Sequence, residues 1–549
     1  MKLARIIFIV SCLCIPRNGQ LFGQVLARSN IHGSFETLTQ IYTADSTIGA
    51  VQPQEVFLSN SYFNLTYSLG NFTAGVRFEA YLNTLEGYPN PEKVNDGVGF
   101  PYRFISYDAG FIEITAGSFY EQFGSGLILR AYEEKDLGYD NAFDGVRVKA
   151  RLFNSGIILK GVIAEQRYYF EKGPGIVRGI DAEFDFNTLL QKEWKTRIIL
   201  GTSFVSKYQK KNETRYKLPD NVASFAGRLT LNRSGFNING EYAYKINDPS
   251  INNDFIYKDG QAIQINTSYS RKGFSALVIA KWADNMSFRS DRNATANDLQ
   301  INFLSPVTTS HTYSLPSFYP YATQENGEFA YSAELSYRFR KGSSLGGKYG
   351  THVSLSYSRI MSSKRIAIDT LEIGESGTLG YISPFFRSGD ELYYEDFNTK
   401  ITKKFSKKFK GVLAYYHLKY NNDILLGAEG EGIITSNIVV ADLTYKIKPR
   451  NSIRTELQHA WVDKDDGNWV CGLLEYTFHN WFVAAMDQYN YGNPDEKVHY
   501  YYFSVGYRHK ASRVHLSYGR QREGVLCLGG VCRTVPASNG LMLNLTHSF

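Results

Sequence analysis

Residues 72–83 read Phe-Thr-Ala-Gly-Val-Arg-Phe-Glu-Ala-Tyr-Leu-Asn, and this stretch decides the fold class. Apolar side chains stand at the even positions, and mostly polar or small ones stand at the odd positions. Such a period of two places one set on each face of a β-strand. The same alternation recurs in residues 453–461 and 501–508. A soluble β-sandwich would give this pattern too, so alternation predicts strands without choosing between the two architectures.

The lengths of the strands and of their connections indicate a membrane barrel. The alternating runs span about ten residues, which matches a tilted strand that crosses a bilayer. Short turns, such as residues 70–71 and 479–480, alternate with long polar segments. Outer-membrane barrels show this asymmetry, with short periplasmic turns and longer outer loops. The long segments are residues 44–59, 85–101, 120–144, 283–327, 362–392 and 521–540.

The chain ends on an alternating strand, residues 541–549, whose last residue is Phe549. It resembles the C-terminal strand by which outer-membrane proteins are recognised for insertion, although His547 stands where an apolar residue is usual. This resemblance implies the barrel-insertion machinery as a partner during biogenesis. Counting all alternating runs predicts an all-β fold, a single large antiparallel transmembrane β-barrel of about 24 strands in a range of about 22–26.

The N-terminal residues have the pattern of an export signal. A basic start, Lys2 and Arg5, precedes an apolar segment at residues 6–15 that is too short to span a bilayer as a helix. We expect residues 1–23 to be a cleaved signal peptide and residues 24–549 to form one outer-membrane barrel domain. Removing the signal lowers the formal net charge from +7 to +4, because it holds three basic and no acidic residues. No Lys/Arg run of the nucleic-acid-binding kind is present, so no nucleic-acid partner is expected.

A barrel of this circumference encloses a wide lumen. Too few residues lie between the signal and the first strand to form an N-terminal plug domain. Either the lumen conducts, or in-folded loops or a partner fill it. Residues 120–144 form either an inward constriction or an ordinary surface loop. Residues 283–327 are rich in Phe and Tyr, which argues against disorder, and we expect them to fold over or into the barrel mouth.

Four charged side chains are predicted to face the lumen: Arg77 and Glu79 in one strand, Arg454 and Glu456 in another. In an open pore such side chains would set ion selectivity. In a barrel that is simply hydrated inside, they would pair with other charges on the wall. The sequence leaves both interpretations open.

Cys527 and Cys532 enclose four residues that include Gly529–Gly530, and we predict a disulfide between them. This loop joins the last two predicted strands and is therefore expected to lie outside the cell. The disulfide either only stiffens the loop or also shapes it for docking a protein partner. Cys471 is predicted to face the lumen as an unreactive free thiol.

No pattern in the sequence predicts catalysis. Residues 342–346, Gly-Ser-Ser-Leu-Gly, match the nucleophile-elbow pattern, but that motif needs a strand–turn–helix context. Here the segment joins two predicted strands and is expected to be a turn. There is no His-Glu-x-x-His run and no calcium-loop pattern. We therefore predict no enzyme activity, no catalytic residues, no cofactor and no metal site.

Six stretches stand out by their motifs: Gly117–Gly126, Ser287–Arg292, Tyr319–Gln324, Tyr518–Gly524, Cys527–Arg533 and Val535–Gly540. They resemble an uncharacterised family of Bacteroidota outer-membrane barrels that is known only as a domain of unknown function. The resemblance runs over essentially the whole mature chain. It implies the fold, a location in the outer membrane and contact with membrane lipid, and it implies no activity or site residues.

Two functions agree with these patterns. The first is passage of solutes across the outer membrane, porin-like or gated, which a wide barrel with mixed inner charges favours. The alternative is a non-transporting scaffold or partner subunit of an outer-membrane assembly, secretion or surface-display complex. Its partner would bind the long extracellular loops, because stiff aromatic surfaces suit protein contacts. Those loops are residues 283–327, 362–392 and 521–540.

Overall fold

Each alternating run forms a strand that pairs antiparallel with its neighbour, and the predicted closed barrel of 24 strands is confirmed. The structure, a computed structural model, describes residues 29–89, 97–211, 215–427, 430–528 and 531–549. The predicted signal peptide, residues 1–23, lies outside the described residues. The barrel strands, β1 to β24 in chain order, are Ser29–Tyr42, Phe57–Leu69, Phe72–Leu82, Val98–Asp108, Ile112–Phe119, Phe143–Leu152, Ile157–Tyr168, Glu171–Asp185, Arg197–Tyr208, Asn221–Arg233, Phe236–Lys245, Gly260–Arg271, Phe274–Asp284, Gly327–Phe339, Thr351–Ser363, Ser388–Lys404, Phe409–Asn421, Ile433–Lys448, Asn451–Val462, Trp469–Phe478, Trp481–Asn490, Val498–His509, Ser512–Gln521 and Ser538–Ser548.

The barrel closes where β1 meets β24. Residues 34–42 of the first strand pair antiparallel with residues 540–548 of the last. Phe549 extends this seam, since its amide and carbonyl exchange hydrogen bonds of 2.9 and 3.0 Å with Gly33. The Phe549 ring lies over Gly33, where a Cβ atom would come within 2.2 Å of the ring. The absence of a side chain at Gly33 therefore gives the terminal aromatic ring its position on the outer wall.

The two faces of each strand differ as the alternation predicts. In β10, Phe225 and Leu229 are 46% and 40% exposed on the outer surface. Between them, Ala226 is buried and Arg228 points inward to an ion pair with Asp181. An outer surface of exposed apolar side chains and a polar or small-residue interior is the arrangement of a lipid-facing barrel wall.

The connections have different lengths at the two ends of the barrel. Turns such as residues 70–71, 234–235 and 479–480 mark the short-turn end, and the opposite end is called the long-loop end. The predicted elbow motif, residues 342–346, lies in a connection between two strands at the short-turn end. Among the described residues, no helix is long and apolar enough to cross a membrane. The helices are α1 (Phe186–Leu189), α2 (Asn422–Leu425) and the 3-10 turns Ser46–Ile48, Lys135–Leu137, Ile251–Asn253 and Pro316–Phe318.

Three connections at the long-loop end matter for function. Inner loop 1, residues 120–142, contains a small hairpin in which Glu133–Glu134 pairs with Tyr139–Asp140. Inner loop 2 comprises residues 285–326. The stapled hairpin pairs Gly524–Leu528 with Val531–Val535 before the last strand.

Candidate functional site

Inner loop 1 folds into the lumen. Its apolar segment forms one buried cluster with small side chains of the inner wall, including Ala164, Ala226 and Ala243. Small wall residues leave space for the bulky side chains of the loop, which is why the two surfaces fit. The segment's fully buried side chains are Phe123, Leu127, Ile128 and Leu129.

Inner loop 2 also packs against the inner wall at the long-loop end. Its first half adds Met286, Phe288 and Ile301 to the cluster of inner loop 1. Its second half packs on strands β14 to β20, where Leu315 and Tyr321 are buried with wall residues such as Tyr394, Tyr416 and Trp469. The sequence predicted that this loop folds over or into the barrel mouth, and the structure has it inside.

The two inner loops bind each other and form one body, called the plug below. The Arg130 amide donates to the Ile301 carbonyl at 2.8 Å, and the Phe303 amide donates to the Gly126 carbonyl at 2.9 Å. The Asn302 side chain also donates to the carbonyl of Leu127 at 3.2 Å. These bonds satisfy buried backbone groups that a loop inside a barrel would otherwise leave unpaired.

Three lysines of the wall hold the plug by its backbone. The Lys207 ammonium donates to the Arg289 carbonyl at 2.8 Å. Lys245 and Lys281 donate in the same way to the carbonyls of Ser287 and Ser305, respectively. All three lysines are almost fully buried. Lysines are rarely buried unless they are paired. These three side chains therefore indicate that the inner wall is adapted to bind inner loop 2.

Two of these lysines also form buried ion pairs. Lys207 lies 2.7 Å from Asp248, and Lys281 lies 2.6 Å from Glu328. The alternation contains a weak signal of this arrangement, since each lysine stands on the inward face of its strand. Their partners are distant in the chain, so no local pattern identifies them.

The first predicted pair of lumen charges contacts the plug. Arg77 lies 2.6 Å from Glu133 and 3.2 Å from Asp140, both in inner loop 1. Glu79 is buried and lies 2.5 Å from Arg167, a wall residue that the sequence did not single out. Burial raises the pKa of the Glu133 carboxyl, and the adjacent Arg77 guanidinium opposes that rise.

The second predicted pair lies in a separate cluster. Arg454 is 3.1 Å from Asp442 and also contacts Glu456. The Gln458 side chain donates a hydrogen bond of 2.6 Å to Glu456. It also accepts a hydrogen bond of 3.1 Å from the backbone amide of Leu315 in inner loop 2. The structure therefore does not bring the two predicted pairs together, and each of them supports a different part of the plug.

The stapled hairpin lies against both inner loops. It contains the disulfide between Cys527 and Cys532. The Cys532 carbonyl accepts a 2.7 Å hydrogen bond from the Asn297 side chain of inner loop 2. Arg533 donates to the Asp136 carbonyl of inner loop 1 at 3.1 Å. The hairpin thus bridges the two halves of the plug at their exposed side.

We expect the Cys527→Ser/Cys532→Ser variant to loosen the stapled hairpin without unfolding the barrel. A disulfide that closes so small a ring restricts the open hairpin by about 2 kcal/mol. Proteolysis and amide hydrogen exchange in residues 524–535 should therefore accelerate several-fold. The thermal midpoint of the barrel serves as the control, because the hairpin strands are outside the barrel sheet. An equal loss of barrel stability would contradict this expectation.

The plug backbone approaches the wall closely at Gly175. A Cβ atom there would lie 2.0 Å from the Ser290 carbonyl oxygen of inner loop 2. We expect Gly175→Val to displace inner loop 2 from the inner wall. Cleavage of this loop by a protease should then increase several-fold. Gly161→Val is the matched control, because nothing lies within 4 Å of a Cβ atom at that position. Equal cleavage of the two variants would show that the close approach does not hold the loop.

Cys471 is a buried free thiol on the inner wall, and the Gln458 side chain donates to its sulfur at 3.5 Å. Within the described ranges, no group of three or more His, Cys, Asp or Glu side chains is arranged to hold a metal ion. The arrangement is that of two inner loops that pack on the inner wall and that the stapled hairpin bridges.

The chain is similar in fold to solved outer-membrane barrels at low sequence identity. It matches the translocation pore of the P pilus usher PapC with a TM-score of 0.46 and 8% identity, over 94% of this chain and 99% of that one. It matches the siderophore receptor PirA of Pseudomonas aeruginosa with a TM-score of 0.40 and 11% identity, over 95% and 80%. A mutant porin of Rh. blastica matches with a TM-score of 0.25 and 14% identity, over 64% and 98%.

No functionally curated protein matches the sequence. A family model does match, and it covers residues 1–549. The chain belongs to this family, a family of unknown function designated DUF6029.

Proposed function

We propose that the protein is an integral outer-membrane barrel that is closed at rest and acts as a partner subunit of an outer-membrane complex. The observation that carries this proposal is the plug, which occupies the lumen at the long-loop end and is built from the chain itself. In this proposal the long-loop end faces outside the cell, and the partner binds there. The lipid of the outer membrane covers the apolar outer wall.

The apolar packing of the plug opposes its release from the lumen. Fully burying a large apolar side chain stabilises a structure by about 1.5–3 kcal/mol, and the conformational entropy that the loops would regain on release offsets part of this stabilisation. The plug contributes eight such side chains. The side chains, each no more than 1% exposed, are Phe123, Leu127, Ile128, Leu129, Met286, Phe288, Ile301 and Leu315.

An exposed apolar surface supports the docking part of the proposal. The connection between β15 and β16, residues 364–387, carries Ile373, Leu379 and Ile382 with 51%, 61% and 54% of their surface exposed. Large apolar side chains that are exposed on a loop are a feature of protein-contact sites. The stapled hairpin adds an element stiffened by a disulfide at the same end.

Gated passage is the second candidate. The plug consists of loops and not of wall strands, so it can leave the lumen without breaking the pairing of the barrel. Next to Arg77 and Arg167 its contacts are ion pairs. Water that enters the lumen would solvate both partners of each pair and so offset part of the cost of separating them. In this alternative a partner or an energy source moves the plug.

Cross-linking in cells and conductance measurements test the proposal together. We expect a photo-cross-linking residue at Leu379 to capture one defined protein, and the same residue at Leu345, which is 60% exposed at the short-turn end, to capture none of it. The purified wild-type protein should be silent in a planar bilayer. Stable conductance steps of the wild type, without a cross-link at Leu379, would overturn the proposal in favour of passage.

A further inference from the structure

The short-turn end of the barrel is strongly basic between β14 and β23. Four segments there contain sixteen Lys and Arg residues and no Asp or Glu. Each segment is a turn together with neighbouring strand residues. These segments, called the basic rim below, are residues 338–352, 400–411, 446–450 and 506–515.

The cations of the basic rim have no acidic partners. Among the residues that the structure describes, no carboxylate oxygen lies within 4.0 Å of a Lys or Arg nitrogen of the basic rim. Elsewhere at the same end, Arg151 lies 3.3 Å from Asp108, and Arg197 lies 2.7 Å from Asp185. The basic rim therefore carries a positive charge that the protein itself does not neutralise.

Two pairs of like charges stand directly opposite each other in neighbouring strands. Lys404 of β16 is the register partner of Lys410 of β17. Arg508 of β22 is the register partner of Arg513 of β23. Like charges in this position destabilise a sheet, and an anion bound between them would remove the repulsion. The two pairs therefore indicate an anionic ligand more directly than the net charge does.

Much of this charge faces the lumen. Lys400 lies on the same face of β16 as Lys404, and its ammonium is 5.6 Å from the centre of the Tyr313 ring in inner loop 2. Lys410 shares a face of β17 with Ala414, which is buried in the cluster of inner loop 2. Headgroups of the surrounding lipid lie on the opposite side of the wall, so these side chains are directed at a ligand in the lumen mouth.

The other like-charge pair lines a cleft of about 510 Å³ at the same end. The charged side chains among its described lining residues are Arg508, Lys510, Arg513 and a single acidic one, Glu475. Phe482 adds an aromatic surface, and the Arg513 guanidinium lies 5.9 Å from the centre of its ring. The cleft can therefore hold a carboxylate together with the methylene groups that carry it.

The extent of the basic rim favours a chain-like ligand over a single small anion. Neighbouring strands lie about 4.8 Å apart, so the strands from β14 to β23 span about 40 Å of the barrel circumference. An extended peptide of about twelve residues has this length. We propose that the basic rim binds an acidic segment of a protein, which approaches the lumen from the short-turn end. This surface is separate from the long-loop end, so the inference does not depend on the partner proposed there.

Binding of a labelled acidic peptide tests this inference. The probe is a peptide of that length in which Glu alternates with Ser, and the matched peptide has Gln in place of Glu. Fluorescence anisotropy is measured with the purified full-length protein in nanodiscs of phosphatidylcholine. We expect the Glu peptide to bind and the Gln peptide not to bind. The affinity should fall as salt is added, because salt screens exposed charges.

Two double variants locate the binding surface. Lys404→Gln/Lys410→Gln and Arg508→Gln/Arg513→Gln should each weaken binding about threefold to tenfold, since each removes two cations that would pair with the peptide. The thermal midpoint should stay the same or rise, because each change removes a repulsive cross-strand pair. Arg233→Gln/Lys272→Gln removes two exposed cations at short turns outside the basic rim and should bind like the wild type.

Three results would overturn the proposal. The first is failure of the Glu peptide to bind, or equal binding of the Gln peptide. The second is equal weakening in the Arg233→Gln/Lys272→Gln variant, which would show general attraction to a basic protein. The third is complete loss of binding in nanodiscs that contain phosphatidylglycerol, which would assign the basic rim to lipid headgroups.

Discussion

Replacing residues 286–325 with a short Gly-Ser turn is expected to convert a silent barrel into one that conducts ions in stable steps. The Asn285 amide donates to the Asn326 carbonyl at 3.2 Å, so the two ends are adjacent and a short turn can join them. All 24 wall strands keep their pairing, because inner loop 2 contributes none of them. Water that enters the vacated half of the lumen would solvate the wall lysines left behind.

The measurement is single-channel recording in a planar bilayer with purified, folded protein. Trimming residues 368–376 from an exposed connection at the same end is the matched control, and it should stay silent. Heat-modifiable migration in gels shows that each variant has folded. A folded variant that lacks inner loop 2 and remains silent would mean that inner loop 1 alone closes the lumen.

Lys281→Met is expected to destabilise the folded protein by about 3–5 kcal/mol, because it leaves a buried carboxylate without its cation. Lys281 and Glu328 are both fully buried and lie 2.6 Å apart. Lys281 also donates to the Ser305 carbonyl, so the variant loses one contact to the plug. The measurement is the urea midpoint of unfolding in detergent, compared with the wild type.

Two further variants identify the cause of that loss. Lys364→Met breaks an exposed pair with Asp390, 3.7 Å apart, and should change the midpoint little. The double variant Lys281→Met/Glu328→Gln removes both charges and should recover part of the stability. If the double variant is no more stable than Lys281→Met, the unpaired carboxylate is not the origin of the effect.

The barrel could be predicted from the sequence because a lipid-facing strand imposes a strict period of two. Phe225 and Leu229 must face outward and Arg228 inward, and a shift of one residue would reverse all three. The long connections could be located for the same reason. The alternation of apolar and polar residues stops at Asp284 and resumes at Gly327, for example, and this gap contains inner loop 2. The charges Arg77 and Glu79 could be assigned to one face of a strand from their spacing alone.

The plug could not be derived in the same way. A loop that folds inward shows no regular alternation of apolar and polar residues. Its contacts also join distant parts of the chain, such as Gly126 with Phe303. One signal was present in inner loop 1, where Leu127, Ile128 and Leu129 form an apolar run inside an otherwise polar segment. Such a run must be buried somewhere, and in a barrel connection the lumen is the available place.

The contacts between wall and plug also limit how far the barrel can deform. A hollow tube of 24 strands has a wide cross-section, and lateral pressure in a bilayer can flatten it into an ellipse. The plug is fixed to Lys245 on one side and to Gln458 on another, so it sets the separation of these walls from within. These contacts therefore resist flattening of the barrel. The long-loop end then presents the same outline to a protein that docks on it.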